Sequence, residues 1–332
     1  MRLAVLGAGA WGSALSFALG QSSEVRLLAR NLDLRSQLEL TGENKRYLPG
    51  IRLPDSVRLA ETLQDALADA DAIVLAVPVK GVRETIECCT ACFPELPPIL
   101  VTCKGFERST RLLPWQVVRD VMPGSKCAIL SGPSFARDLG EGRPVLASLA
   151  VTDNCSPSIF SDVLAAAGIR TYLTDDLVGV SIGGATKNVV AIAAGMSDAQ
   201  GFGASALAGL VTRGLSEISR LGCALGARSE TFMGLSGLGD LSLTCFSDLS
   251  RNRRLGFSIG SGNSLELASR ELGQVAEGVN TAYEVQSIAR EMNIDMPITE
   301  AVCNVLSGNL DVKRAADQLF SRNLRDETQR AS

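Results

Sequence analysis

Residues 3–19 read Leu-Ala-Val-Leu-Gly-Ala-Gly-Ala-Trp-Gly-Ser-Ala-Leu-Ser-Phe-Ala-Leu. The stretch divides into three parts. Residues 3–6 are a short apolar run, as in parallel strands buried on both faces. Gly7, Gly9 and Gly12 follow with the spacing G-x-G-x-x-G. Residues 13–19 then read as helix. A lone glycine motif of this kind is weak and fits an ordinary turn; strand before and helix after are the context a dinucleotide site requires. Gly7 permits the tight turn, Gly9 lets the backbone approach a pyrophosphate, and Gly12 allows helix and strand to pack closely. The start of the helix then receives the anion.

The chain beyond repeats the alternation. Residues 24–29, 57–60, 72–77, 99–102, 127–130, 145–151 and 170–173 read as strands. Helices are predicted over 62–70, from Pro78 to about Cys92, and over 111–122 and 157–167, with a polar loop at 41–50. Strands alternating with helices predict an α/β Rossmann-type N-terminal domain with a mainly parallel sheet, spanning residues 1–176. The second strand ends in Arg30, where NAD-binding domains commonly present a carboxylate to the ribose. A guanidinium there suits a 2′-phosphate, so NADP(H), or both NADP(H) and NAD(H), is the expected cofactor. The bland alternative is a solvated arginine. Ligands of open α/β sheets bind at the carboxyl ends of strands. Lys104 follows one such end, and the small-residue loop with Gly132, Ser134 and Ala136 follows another. Backbone N–H groups and the Ser134 hydroxyl suit that loop to oxygen atoms.

After residue 176 strand signals vanish. Residues 177–197, 203–223, 264–272, 278–292, 298–307 and 311–319 read as helices, so an all-α C-terminal domain is expected over 177–332. Its first helix is Leu-Val-Gly-Val-Ser-Ile-Gly-Gly-Ala-Thr-Lys-Asn-Val-Val-Ala-Ile-Ala-Ala-Gly-Met-Ser, with Lys187 its only charged residue. Length alone would allow a membrane span, but Lys-Asn at the middle and four glycines argue against one. Val180, Gly184, Lys187 and Ala191 share a face, and Lys187 leans over Gly183 and Gly184. An amine beside a cavity is the expectation, placed where the two halves meet. A desolvated lysine is a usable proton donor near neutral pH; a lysine snorkelling from a core helix is the plain alternative. Asp240, after a glycine turn, either orients Lys187 or caps a helix. Ser250 can cap a helix that starts with Arg251 and Asn252, a phosphate-binding arrangement, although three arginines in four residues also describe a solvated face. The loop carrying Val275 and Glu277 can approach a ligand, and the charged tail at 322–332 is expected to fray.

Composition narrows the chemistry. The 332 residues carry a formal net charge of −4 with charges of both signs scattered, which argues against nucleic acid or an anionic membrane as partner. Nine cysteines, without framework spacing, fit reduced thiols in a cytoplasm, and the isolated Cys89-x-x-Cys92 pair does not call for a metal. No signal peptide is read at the N-terminus. The chain has no histidine. Imidazole acid–base catalysis and Ser-His or Cys-His nucleophiles are therefore excluded, and lactate- or malate-type chemistry, which uses a histidine, is disfavoured.

The ordered motifs closely resemble those of the bacterial NAD(P)-dependent glycerol-3-phosphate dehydrogenase family. They are GAGAWG at 7–12, NKRYLPG at 44–50, KG at 104–105, SGPSFA at 131–136, KNVVAI at 187–192, GLGDL at 237–241, LTC at 243–245, SRNRRLG at 250–256 and MPIT at 296–299. The resemblance implies reduction of dihydroxyacetone phosphate to sn-glycerol 3-phosphate in the cytoplasm, for phospholipid synthesis, by an expected homodimer without stable membrane insertion. It implies Lys187 as proton donor and acceptor. It implies Lys104, Gly132, Ser134, Lys187, Asp240, Ser250, Arg251 and Asn252 at the substrate. Gly7, Gly9, Trp11, Gly12, Arg30, Lys104, Ala136, Arg251, Val275 and Glu277 would meet the cofactor. Ala10 and Cys103 depart from the serine and threonine frequent in the family. The rival readings are a 3-hydroxyacid or 6-phosphogluconate-type dehydrogenase, which shares the Lys-Asn helix, and a non-catalytic NADPH-sensing regulator.

Overall fold

The computed structural model describes residues 1–273 and 277–322, in two compact units, Met1–Ser181 and Ile182–Ser332. Val275 and the tail beyond Arg322 lie outside the described residues.

The first unit is an eight-stranded sheet. Its strands are β1 (Arg2–Leu6), β2 (Glu24–Leu28), β3 (Val57–Leu59), β4 (Ala72–Leu75), β5 (Ile99–Val101), β6 (Cys127–Ser131), β7 (Val145–Val151) and β8 (Ile169–Thr174). Their order is β3-β2-β1-β4-β5-β6-β7-β8, and only the β6–β7 pair is antiparallel. Successive side chains point to opposite faces of a strand, and both faces here are apolar. Leu3, Val5, Val25, Leu27, Val74, Leu100 and Leu130 enter one core layer. Ala4, Leu6, Ile73, Leu75, Ile99, Val101 and Ile129 enter the other. Helices Ala10–Gly20 and Ser158–Ala166 cover the first layer; Val82–Cys92 and Pro114–Val121 cover the second. The register pairs Leu6 with both Leu28 and Leu75, so the carboxyl ends of β2, β1 and β4 lie side by side where the strand order reverses.

One helix start differs from the sequence expectation. The helix expected over 111–122 begins at Pro114. Proline suits a first helical position and disfavours helix before it, and Arg111 adopts a left-handed φ of 59°.

Helix Leu177–Ala199 runs from the first unit into the second. Among the described residues it is the one helix long and apolar enough to cross a membrane, but 83% of its apolar window is buried within the protein. The second unit holds helices Gly203–Ala224, Asp240–Phe246, Arg251–Gly260, Leu265–Leu272, Glu277–Glu291, Pro297–Leu306 and Val312–Phe320. Glycines let its backbones touch. A Cβ on Gly195 would overlap the Arg253 carbonyl oxygen, and a Cβ on Gly256 would overlap that of Ile192. This reciprocal approach locks the start of Arg251–Gly260 against the helix that carries Lys187 and Asn188.

Gly183 corrects an expectation. The surface beside it is not bare, because the Ser236 carbonyl occupies the position its Cβ would take. The short π-helical turn Leu235–Gly239 therefore seats directly on the lysine helix.

Candidate active site

The first constellation lies in the sheet unit. Gly7 follows β1 with φ of 115°, and a Cβ there would come within 2.6 Å of the Ala76 carbonyl oxygen. A Cβ on Gly12 would overlap the Gly7 carbonyl oxygen, which ties the helix to the turn. Gly9 differs from both: a Cβ there would find nothing within 4 Å. Gly9 is also the N-cap of helix Ala10–Gly20, with no capping side chain and no acidic residue in the first turn. The first N–H groups of a helix lack internal partners, and here no carboxylate of the first turn competes for them. The cradle thus fits a pyrophosphate. Ala10 contributes no hydroxyl, and Trp11 packs against the core layer on this side of the sheet.

A buried asparagine holds the cradle. Asn44 is 1% exposed, and its Nδ2 donates to the Ala8 carbonyl at 2.9 Å and to Ser13 Oγ at 2.7 Å. The polar loop at 41–50 is therefore a brace for the glycine turn. Spacing gave no sign of this; only the NKRYLPG motif pointed at the loop.

Two further strand ends carry candidates. Lys104 is half-buried between two anchors. On one side, Thr102 Oγ1 donates to the Leu75 carbonyl at 2.9 Å, joined by the Cys103 thiol at 3.2 Å. On the other, Glu107 accepts from Arg83 Nε at 3.0 Å and Nη2 at 2.9 Å. This bidentate arginine holds the Glu107 carboxyl below its usual range, against the opposing effect of burial. After β6, a Cβ on Gly132 would lie 2.9 Å from the Ala147 Cα, so the loop presses on β7. Ser134 Oγ donates to the Gly132 carbonyl at 2.9 Å, which leaves its lone pairs as acceptors. Ala136 begins the short helix Ala136–Gly140.

Arg30 follows β2. Its Nη1 lies 3.3 Å from Glu84 Oε2, with both side chains largely exposed. Asn31 is occupied in capping helix Leu32–Thr41, its Oδ1 accepting from the Leu34 N–H at 2.8 Å.

The second constellation lies in the helical unit and centres on Lys187, which is 8% exposed. Its Nζ donates to Asp240 Oδ1 and, at 2.9 Å, to Thr244 Oγ1. Thr244 in turn donates to the Asp240 backbone carbonyl at 2.6 Å, so its oxygen is committed to accepting from the lysine. Asp240 is 1% exposed. It is not the N-cap of its helix: Gly239 holds that position, and Asp240 is the first residue of helix Asp240–Phe246. Its carboxylate is instead the partner of the Lys187 amine. Losing one partner of a buried pair costs about 3–5 kcal/mol, so carboxylate and amine are mutually required. The adjacent Cys245 remains a thiol, its pKa pushed up to about 12 mainly by burial, against the lowering effect of Lys187.

Beside the lysine helix, Ser250 caps Arg251–Gly260, its Oγ accepting from the Arg253 N–H at 3.2 Å. Asn252 is buried, and its Oδ1 accepts from the Gly278 N–H at 3.1 Å. That bond fixes the amide so that its NH2 remains the donor end. A Cβ on Gly278 would come within 2.9 Å of the Asn188 carbonyl oxygen, which draws the Glu277–Glu291 helix start to the same place. Of the three arginines, Arg253 pairs with Asp198 at 2.8 Å and with Asp248, a structural role, whereas Arg251 is exposed.

A cradle that fits a dinucleotide pyrophosphate in one unit and a carboxylate-held amine in the other are the parts of a nucleotide-dependent oxidoreductase without histidine. Residues 2–156 match the family model for the N-terminus of NAD-dependent glycerol-3-phosphate dehydrogenase, and residues 176–317 match that for its C-terminus. The chain belongs to this family. It is 46% identical over 328 residues to the glycerol-3-phosphate dehydrogenase [NAD(P)+] of Dechloromonas aromatica, covering 98% of this chain and 99% of that protein. It is 47% identical over 328 residues to the enzyme of the same name from Thiobacillus denitrificans, covering 98% and 100%. The crystal structure of glycerol-3-phosphate dehydrogenase from Coxiella burnetii superposes with a TM-score of 0.92 at 34% identity, over 97% of this chain and 99% of that one.

Proposed function

We propose that the protein reduces dihydroxyacetone phosphate to sn-glycerol 3-phosphate, reversibly, with NADPH or NADH. The single observation that carries the mechanism is the buried Lys187–Asp240–Thr244 arrangement. A bound nicotinamide cofactor supplies the hydride to the ketone carbon. Lys187 gives a proton to the developing alkoxide, and Asp240 and Thr244 hold its amine in place for that transfer. Lys104 adds positive charge at the substrate, and Gly132 and Ser134 are further substrate contacts. Arg251 and Asn252, at a helix start capped by Ser250, hold the phosphate. Binding energy from this remote group positions the carbonyl. Gly7, Gly9 and Gly12 form the pyrophosphate cradle, with Trp11, Arg30, Lys104, Ala136, Arg251, Val275 and Glu277 as further cofactor contacts.

On this reading residues 1–176 serve the dinucleotide and 177–332 the substrate, in a cytoplasmic homodimer that feeds phospholipid synthesis. The support is the family membership together with a donor set suited to a phosphate and a ketone. Oxidation of NADPH, and separately of NADH, should depend on dihydroxyacetone phosphate, and the reverse reaction on glycerol 3-phosphate. Turnover of 3-hydroxyacids or 6-phosphogluconate in place of glycerol 3-phosphate would overturn the assignment. No turnover of any of these would favour a sensor.

A further inference from the structure

We propose that Glu84 sets the balance between NADH and NADPH by competing for Arg30. The inference rests on Arg30 meeting the ribose of the adenosine half, as the reading above assigns. The carboxylate expected at the end of β2 is missing there, since the residue in that place is Arg30. A carboxylate is present all the same, supplied by another element. Glu84 stands in the first turn of helix Val82–Cys92, beyond β4, and its Oε2 lies 3.3 Å from Arg30 Nη1. The sheet register brings the two together, because the carboxyl ends of β2 and β4 flank that of β1. The guanidinium also lies against the turn before that helix, since a Cβ on Gly81 would stand in ordinary contact with Arg30 Nη2, at 3.4 Å. Asn31 does not contribute its carbonyl oxygen, which already accepts from Leu34.

The pair is 60% and 71% exposed, and ion pairs of that kind are weak. A ligand can therefore divide it. The 2′-phosphate of NADPH takes the guanidinium in a charge-assisted contact and leaves Glu84 facing a like charge. The 2′-hydroxyl of NADH donates to the Glu84 carboxylate while Arg30 stays paired. Each cofactor gains one favourable partner, and neither is excluded. Glu84 thus restrains a preference for NADPH that Arg30 alone would impose, a case of specificity set by a repulsive element as well as an attractive one.

The test is the ratio of kcat/KM for NADPH to that for NADH, in wild type, Arg30→Ala and Glu84→Gln, at low and high salt. Glu84→Gln should raise the ratio by about threefold, with a smaller rise at high salt, as befits an exposed charge. Arg30→Ala should lower it by about tenfold. Melting temperatures should be unchanged in both, which separates selectivity from folding. If Arg30→Ala lowers the ratio while Glu84→Gln leaves it unchanged or lowers it, the role of Glu84 is overturned and the Arg30 contact stands. If neither substitution moves the ratio, both are overturned.

Discussion

Gly9 and Gly183 look alike in the sequence, each a glycine beside residues assigned to chemistry, yet the two units use them in opposite ways. At Gly9 the missing side chain leaves open space in front of an uncapped helix start. At Gly183 the Ser236 carbonyl fills that space. The first absence makes room for a ligand. The second lets a backbone segment come close enough for Asp240, at the next helix start, to reach Lys187. The sheet unit keeps space open in front of a helix start that no side chain caps. The helical unit prepares its site by closing protein around one amine.

This contrast can be broken by substitution. Gly183→Ala should destabilise the helical unit by about 3 kcal/mol, because its new methyl meets backbone and not a movable side chain. Gly9→Ala should leave the melting temperature unchanged and weaken cofactor binding by roughly tenfold, since its methyl meets only the ligand. Calorimetry and cofactor titration of both variants check the pair, and a Gly9→Ala that destabilises without affecting binding would refute the contrast.

A smaller effect sharpens the difference in buried charge. Glu217 accepts from the Ile298 N–H at 2.6 Å and from the Thr299 N–H and hydroxyl at 3.2 Å each, closing the start of helix Pro297–Leu306. Burial nevertheless pushes its pKa up from 4.5 to about 7. Between those values the folded chain holds a proton that the unfolded chain has released. Stability from this group is therefore fully present below 4.5 and falls as pH rises toward about 7. Its slope is at most about 1.4 kcal/mol per pH unit. Glu217→Gln should lower stability at pH 5, because its NH2 opposes a donor, and should flatten the slope between pH 5 and 7. Glu107 in the sheet unit has the opposite sign: its pKa is lowered, so its contribution is lost as pH falls below 4.5. Thermal melts from about pH 2 to about pH 8 separate the two windows.

Much of this was legible in the chain. The β1 run, the three glycines and the following helix announce themselves because parallel strands are continuously apolar and each glycine answers a separate steric demand. Lys187 was legible because a charge in an apolar helix needs a reason, and Asp240 because a carboxylate must come from somewhere. Helix Asp240–Phe246 was not, since seven residues are too few to show a helical period. The filled state of Gly183 was equally hidden, because the segment that fills it lies over fifty residues away. Asn44 escaped for the same reason: its side chain is polar and its loop looks solvated, but its partners lie 36 and 31 residues earlier.

The most direct test of the central claim is the rate of dihydroxyacetone phosphate reduction by Lys187→Ala, measured beside its affinity for NADPH. A proton donor held by Asp240 and Thr244 predicts a kcat lower by about 10³-fold with cofactor affinity intact. Near-normal turnover with the amine gone would contradict it.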